Sequence, residues 1–160
     1  MASTYTPIAT TTLGSAAASV TFSSIAGYTD LILIYNGTPT GSAQSYLRVN
    51  GDTGSNYSDT YIYGDGTSTG SGRNANQTLM YCGYIGASGA NAMLTVHLQN
   101  YANSTTYKTF LSRGSLASAE VGAHVGLWRN TAAITSVTFG VTSNNFNTGS
   151  TFTLYGIKAA

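Results

Sequence analysis

Apolar and polar residues alternate along most of this chain with a period of two. Val20 and Phe22 alternate with Ser19, Thr21 and Ser23, while Ala92, Leu94, Val96 and Leu98 alternate with Met93, Thr95, His97 and Gln99. Val121, Ala123, Val125 and Leu127 alternate with Gly122, His124, Gly126 and Trp128. Val137, Phe139 and Val141 repeat the pattern, as do Phe152 and Leu154. Successive side chains of a strand point to opposite faces, so each run predicts a β-strand with its apolar set on a core. Leu31 to Tyr35 is apolar at every position, which predicts a central strand covered on both faces.

Clusters rich in Gly, Asn and Ser separate these runs: Asn36 to Gly41, Asn50 to Gly54, Gly86 to Gly89, Arg113 to Ser115 and Asn144 to Ser150. Gly and Asn tolerate the positive φ of tight turns, so the clusters punctuate a sheet. Nine or ten short strands at this spacing predict an all-β fold, an antiparallel β-sandwich with jelly-roll topology. No amphipathic helix emerges; residues 16–18 and 116–119 could each make one turn. Nothing splits the chain, so residues 1–160 read as a single domain. Gly64 to Asn76 has no apolar anchor and is expected to be a long loop. Residues 1–12 could form an N-terminal arm in which Tyr5, Pro7 and Ile8 dock on a neighbour, or a plain first strand.

Composition narrows the function. Only 7% of the 160 residues are charged, and the net charge is +1. That balance argues against a nucleic-acid partner, which requires a basic patch. The longest strongly apolar run falls far short of the roughly 20 residues that cross a bilayer, so no membrane partner is expected. The first twelve residues lack the basic and apolar regions of a secretory leader, which points to synthesis in a cytosol. Cys82 is the single cysteine and cannot form an intrachain disulfide.

Catalysis has little to work with. His97 and His124 lie in no nucleophile motif, and no G-x-S-x-G elbow occurs. Asp52, Asp59 and Asp65 are expected in or beside turns, where aspartates bond their own backbone. Asn50, Asp52 and Asn56 suggest a calcium loop but lack the ligand spacing and closing Glu of one. The expectation is therefore no enzyme, no metal and no cofactor. Tyrosine is the remaining signal: there are 12, and Tyr57, Tyr61, Tyr63, Tyr81, Tyr84, Tyr101 and Tyr107, joined by Trp128, either serve β propensity on the outer faces or form a protein or sugar contact surface, since tyrosine combines apolar area with a polar tip.

A free protein normally disperses charge over its surface to resist association. Burying an ion at an interface costs several kcal/mol unless it is well paired, whereas a hydroxyl that exchanges water for a new partner gains about 0.5–1.5 kcal/mol. A Ser/Thr/Asn/Tyr-rich surface thus suits lasting contact with neighbouring subunits. Arg48, Arg73, Arg113 and Arg129 would offer forked donors to carboxylates of a partner.

Three stretches carry a resemblance. Tyr46 to Ser58, with its Asn50-Gly51-Asp52-Thr53-Gly54-Ser55-Asn56-Tyr57 centre, resembles a segment of small virion proteins of tailed bacteriophages, notably those of cyanobacteria. Val125-Gly126-Leu127-Trp128-Arg129 with Ile134-Thr135-Ser136-Val137 is similar to a second block of those proteins. Phe146 to Ile157, ending Leu154-Tyr155-Gly156-Ile157, resembles their C-terminal ending. The resemblance implies a capsid cement (decoration) protein on the outer capsid surface of the virion. It would be a homotrimer bridging neighbouring major capsid protein subunits. The alternative it leaves open is a tail fibre or tail tip module that recognises host surface polysaccharide. The residues expected at such interfaces are Tyr5, Pro7, Ile8, Arg48, Tyr57, Tyr61, Tyr63, Arg73, Trp128 and Arg129.

Overall fold

A computed structural model describes residues 4–86, 89–116 and 118–158. Among them are twelve strands and no helix: β1 (Tyr5–Thr12), β2 (Ser19–Phe22), β3 (Asp30–Gly37), β4 (Gln44–Val49), β5 (Tyr57–Gly64), β6 (Thr69–Gln77), β7 (Met80–Tyr84), β8 (Ala92–Leu98), β9 (Lys108–Leu116), β10 (Glu120–Trp128), β11 (Val137–Val141) and β12 (Thr151–Ile157). They form two antiparallel sheets. The larger runs β1-β12-β3-β8-β9-β10-β5-β6 and the smaller β2-β11-β4-β7. Paired strands nest: β5 with β6, β4 with β7, β3 with β8 and β2 with β11, with successive pairs falling in opposite sheets. This wrapping is a jelly roll, with the β9–β10 hairpin inserted into the larger sheet and β12 and β1 added at its edge.

The alternating runs explain the sandwich. Leu31, Leu33, Leu94, Val96, Leu98, Phe110, Phe152 and Leu154 point from the larger sheet into the core, where Phe22, Leu47, Val49, Val137 and Phe139 meet them from the smaller. Tyr35, Phe139, Phe146 and Phe152 form an aromatic knot with ring centroids 4.8–6.1 Å apart. Such pairs add about 0.5–1.5 kcal/mol each beyond their buried area. Burial pushes the Tyr35 phenol up to about 12, so it enters the core uncharged.

Two expectations are corrected. The run Leu31 to Tyr35 is central, but it is covered on one face only: Ile32 and Ile34 lie half-buried on the outer face of the larger sheet. The expected loop at residues 64–76 is a tight turn followed by strand β6. Asp65 holds the turn by accepting hydrogen bonds from the Thr67 and Ser68 amides at 2.9 and 2.6 Å. The apolar cover that β6 lacks comes from its neighbour, because the rings of Tyr63 and Tyr61 lie over Gly70 and Gly72. A Cβ on either glycine would stand 2.5 Å from ring or hydroxyl atoms. Residues 5–12 take the plain-strand alternative as β1, paired along β12 from Tyr5–Ile157 to Thr12–Thr151.

Strand β10 inverts its expected phase. Val121 and Val125 face outward, while His124, Gly126 and Trp128 face the core. A strand flips its whole side-chain set with a shift of one residue, and here the polar-looking set has the better partners inside. Gly126 leaves room for the Met80 thioether, Trp128 finds a carboxylate, and His124 finds another.

Candidate functional site

Strands β5 and β10 pair from Trp128–Tyr57 to Val121–Gly64, and their inner faces carry a run of polar and aromatic side chains. At one end Trp128 and Tyr57 stack, centroids 6.5 Å apart. The Trp128 indole donates to Asp52 at 2.6 Å; the Asn56 amide and the Gly54 backbone add 2.9 and 2.8 Å bonds to the same carboxylate. Burial pushes Asp52 up, but these donors, helped by Arg48, outweigh it and hold the carboxyl below its ordinary value. The Tyr57 hydroxyl accepts from the Val49 amide at 3.1 Å and reaches the Val49 and Asp52 carbonyls. Its phenol is pushed up to about 12 by burial.

Midway along, Asp59 is buried. It lies 3.3 Å from His124 Nδ1 and accepts from Asn74 Nδ2 at 3.2 and 3.3 Å. Asp59 is thus a strand residue and not the expected turn residue; its carboxylate orients the imidazole. The His124 ring stacks on Tyr61 with centroids 5.2 Å apart and an interplanar angle of 25°. Tyr63 follows at 6.4 Å from Tyr61.

The far end is open. The smaller sheet ends at β7, which packs on β9, β10 and β5, and β6 extends past it. The overhang leaves a cleft of about 430 Å³ floored by Tyr61, Tyr63 and His124 and rimmed by Asn74, Glu120, Tyr81 and Gln44. Burial pushes the Glu120 carboxyl up, opposed by nearby His124 and reinforced by Asp65.

Of the residues expected at an interface, Tyr57 and Trp128 are corrected: they are 0% and 1% exposed and belong to the core. Tyr61 and Tyr63 line the cleft. Tyr5 and Pro7 are exposed on edge strand β1, where Ile8 is half-buried against the core. Arg48 donates to the Thr78 carbonyl and lies over the Tyr46 ring. Arg129 ties the loop before β5 to strand β6, donating to the Ser55 carbonyl and the Asn76 side chain at 2.6 and 3.0 Å. Arg73 is exposed on β6, away from the core. Asn50 bonds the Ala133 carbonyl and the Thr135 amide, so the suggested calcium ligands are spent on internal contacts. Among the described residues no group of three His, Cys, Asp or Glu gathers to hold a metal.

A second surface escaped the sequence reading. The outer face of β8–β9–β10–β5–β6 exposes Met93, Leu111, Val121, Val125 and Ile62, the last at 63%. Register places Leu111, Val125, Thr60 and Arg73 in one row across the strands, and Arg113, Ala123, Ile62 and Ser71 in the next. Assigning the valines of β10 to the core hid this face.

No family model matches the chain, and no curated protein does. Among solved structures, the crystal structure of exo-inulinase from Aspergillus awamori aligns with 96% of the chain at 11% identity and a TM-score of 0.49; the chain spans 29% of that protein. A tetrameric galectin from the ball sponge Cinachyrella sp. aligns with 87% of the chain and 99% of its own length at 12% identity, TM-score 0.39. Alginate lyase Aly36B aligns with 92% of the chain and 77% of its own length at 9% identity, TM-score 0.40. Likenesses this distant carry nothing about function, and the antiparallel sandwich stands on its own strand order.

Proposed function

We propose that this chain is a structural subunit of a phage particle, a capsid cement protein that seats on the outer capsid surface and bridges neighbouring major capsid protein subunits. The observation that carries the reading is the outer face of the larger sheet. An antiparallel sheet that meets water normally shows polar residues there, and contiguous apolar patches on a protein surface mark interaction sites. Here Met93, Leu111, Val121, Val125 and Ile62 occupy four adjacent strands, β8, β9, β10 and β5, with β6 beside them. The formal charges on those strands' outer face are Arg73 and Arg113, both exposed. A partner that fits offers apolar area with carboxylates at the margin, where arginine forks bind them in pairs. Cement subunits act through added contact area, linking capsomers against internal pressure, and a closed trimer would shield strand edges such as β1 and β6.

Quantified staining of purified particles tests the location. Hundreds of copies per particle support the capsid; a handful would move the protein to the tail, as a fibre or tip module, and none would end the reading. The Val121→Glu/Val125→Glu double variant tests the face. It should stay folded, since exposed substitutions shift stability by about 0.5 kcal/mol or less each, and it should fail to bind particles stripped of the protein. Binding equal to that of the unaltered chain would remove the outer face from the interface.

A further inference from the structure

We propose that the cleft between β5, β6, β10 and the edge of the smaller sheet binds a neutral saccharide. Its floor is an aromatic shelf of unusual construction. Tyr61 and Tyr63 do not stand up from the strand but lie across Gly72 and Gly70 of β6, a position that a side chain on either glycine would block. Tyr63, 37% exposed, offers ring surface to the cleft. Tyr61 is fixed further by stacking on His124, which the buried Asp59 carboxylate holds in turn. The shelf is therefore rigid before any ligand arrives, which lowers the entropic cost of binding.

A flat aromatic face with polar groups around it suits a molecule that is apolar on one face and hydroxylated at its edge, and a pyranose ring has that shape. Glu120, Gln44, Asn74 and Tyr81 line the rest of the cleft, giving acceptors and donors around the rings. Among the described residues no Lys or Arg lines the cleft. Phosphate, sulfate or uronate groups would meet Glu120, and His124, the one lining group that can turn cationic, is already held by the Asp59 carboxylate, so nucleotides and acidic sugars are disfavoured. The cleft opens between the layers, on the opposite side of β5, β6 and β10 from the apolar outer face, so the two surfaces can be occupied together. The inference is independent of the capsid reading: a cement subunit or a tail module could carry this site.

The test is an array of neutral, acidic and sulfated glycans probed with the whole chain, followed by titration of the best neutral binder. Binding confined to neutral glycans is expected. Tyr63→Ala should weaken it about tenfold, the order of one lost stacking contact. Gln44→Ala, on the opposite wall and in the other sheet, should weaken it several-fold; its side chain is exposed, so it also serves if Tyr63→Ala fails to fold. Absence of any neutral binder, a preference for acidic glycans, or unaltered affinity in the folded variants would overturn the proposal.

Discussion

Strands β5 and β10 lie side by side along their whole length, yet their two ends are built on opposite principles. At the Trp128–Tyr57 end the smaller sheet covers them, and polar atoms that enter the core find fixed partners: indole to Asp52, phenol to the Val49 and Asp52 backbone. At the Glu120–Tyr63 end the cover stops at β7. The same inner face there shows rings and a carboxyl to the outside, with Tyr63 37% exposed. The difference comes from sheet width: a four-stranded layer cannot roof an eight-stranded one. What is fixed at one end by burial stays open at the other.

The covered end should be the sensitive one. Trp128→Ala removes a buried indole and its donor to Asp52, so it should cost about 3–5 kcal/mol in urea unfolding, the range for emptying a large aromatic site. Tyr63→Ala at the open end should cost much less, because its ring is only part-buried. Equal losses at both ends would show that the overhang is as tightly packed as the core and would erase the contrast.

Asp52 sharpens the comparison through pH. Its carboxyl is held below the ordinary value in the folded chain, so the folded state binds fewer protons than the unfolded one. Its stabilisation is then present above the unfolded carboxylate value and lost as pH falls through the lowered one. Asp52→Asn should cost about 1.5–3 kcal/mol at neutral pH, as for hydrogen bonds to a charged group. The deficit should shrink toward acid, where the unaltered protein loses the same bonds. Unfolding midpoints taken from pH 7 down to pH 2.5 measure it, and a deficit independent of pH would assign the effect to packing alone.

Much of the fold could be read from period-two alternation, because most runs bury their apolar set: Val20 and Phe22, Leu94 to Leu98, Val137 to Val141 and Phe152 with Leu154 all reach the core. The rule failed where burial is decided by partners distant in sequence. Strand β10 turned its valines outward because Met80, Asp52 and Asp59, all more than forty residues away, accommodate Gly126, Trp128 and His124. Strand β6 carries no apolar pattern of its own because its cover comes from the tyrosines of β5. The cleft was half legible: Tyr61 and Tyr63 stood out as candidates, but Glu120, Gln44 and Asn74 join them only through the overhang, a feature of sheet width that local pattern does not encode.

Glu120 gives the smallest effect and the one most specific to the open end. Burial raises its carboxyl, the reverse of Asp52, so the folded chain holds its proton to higher pH than the unfolded chain does. The consequence for stability has the opposite sign: it falls as pH rises through the window from the unfolded value, near 4.5, up to the raised one. A glutamine of the same shape carries no such penalty. Glu120→Gln should therefore match the unaltered protein at pH 3 and gain slightly over it at pH 7, read as a small rise in urea midpoint. Partial exposure to water keeps the gain modest. A loss at neutral pH would mean that Glu120 is engaged by donors in the free protein, so that the rim is already occupied by the chain itself.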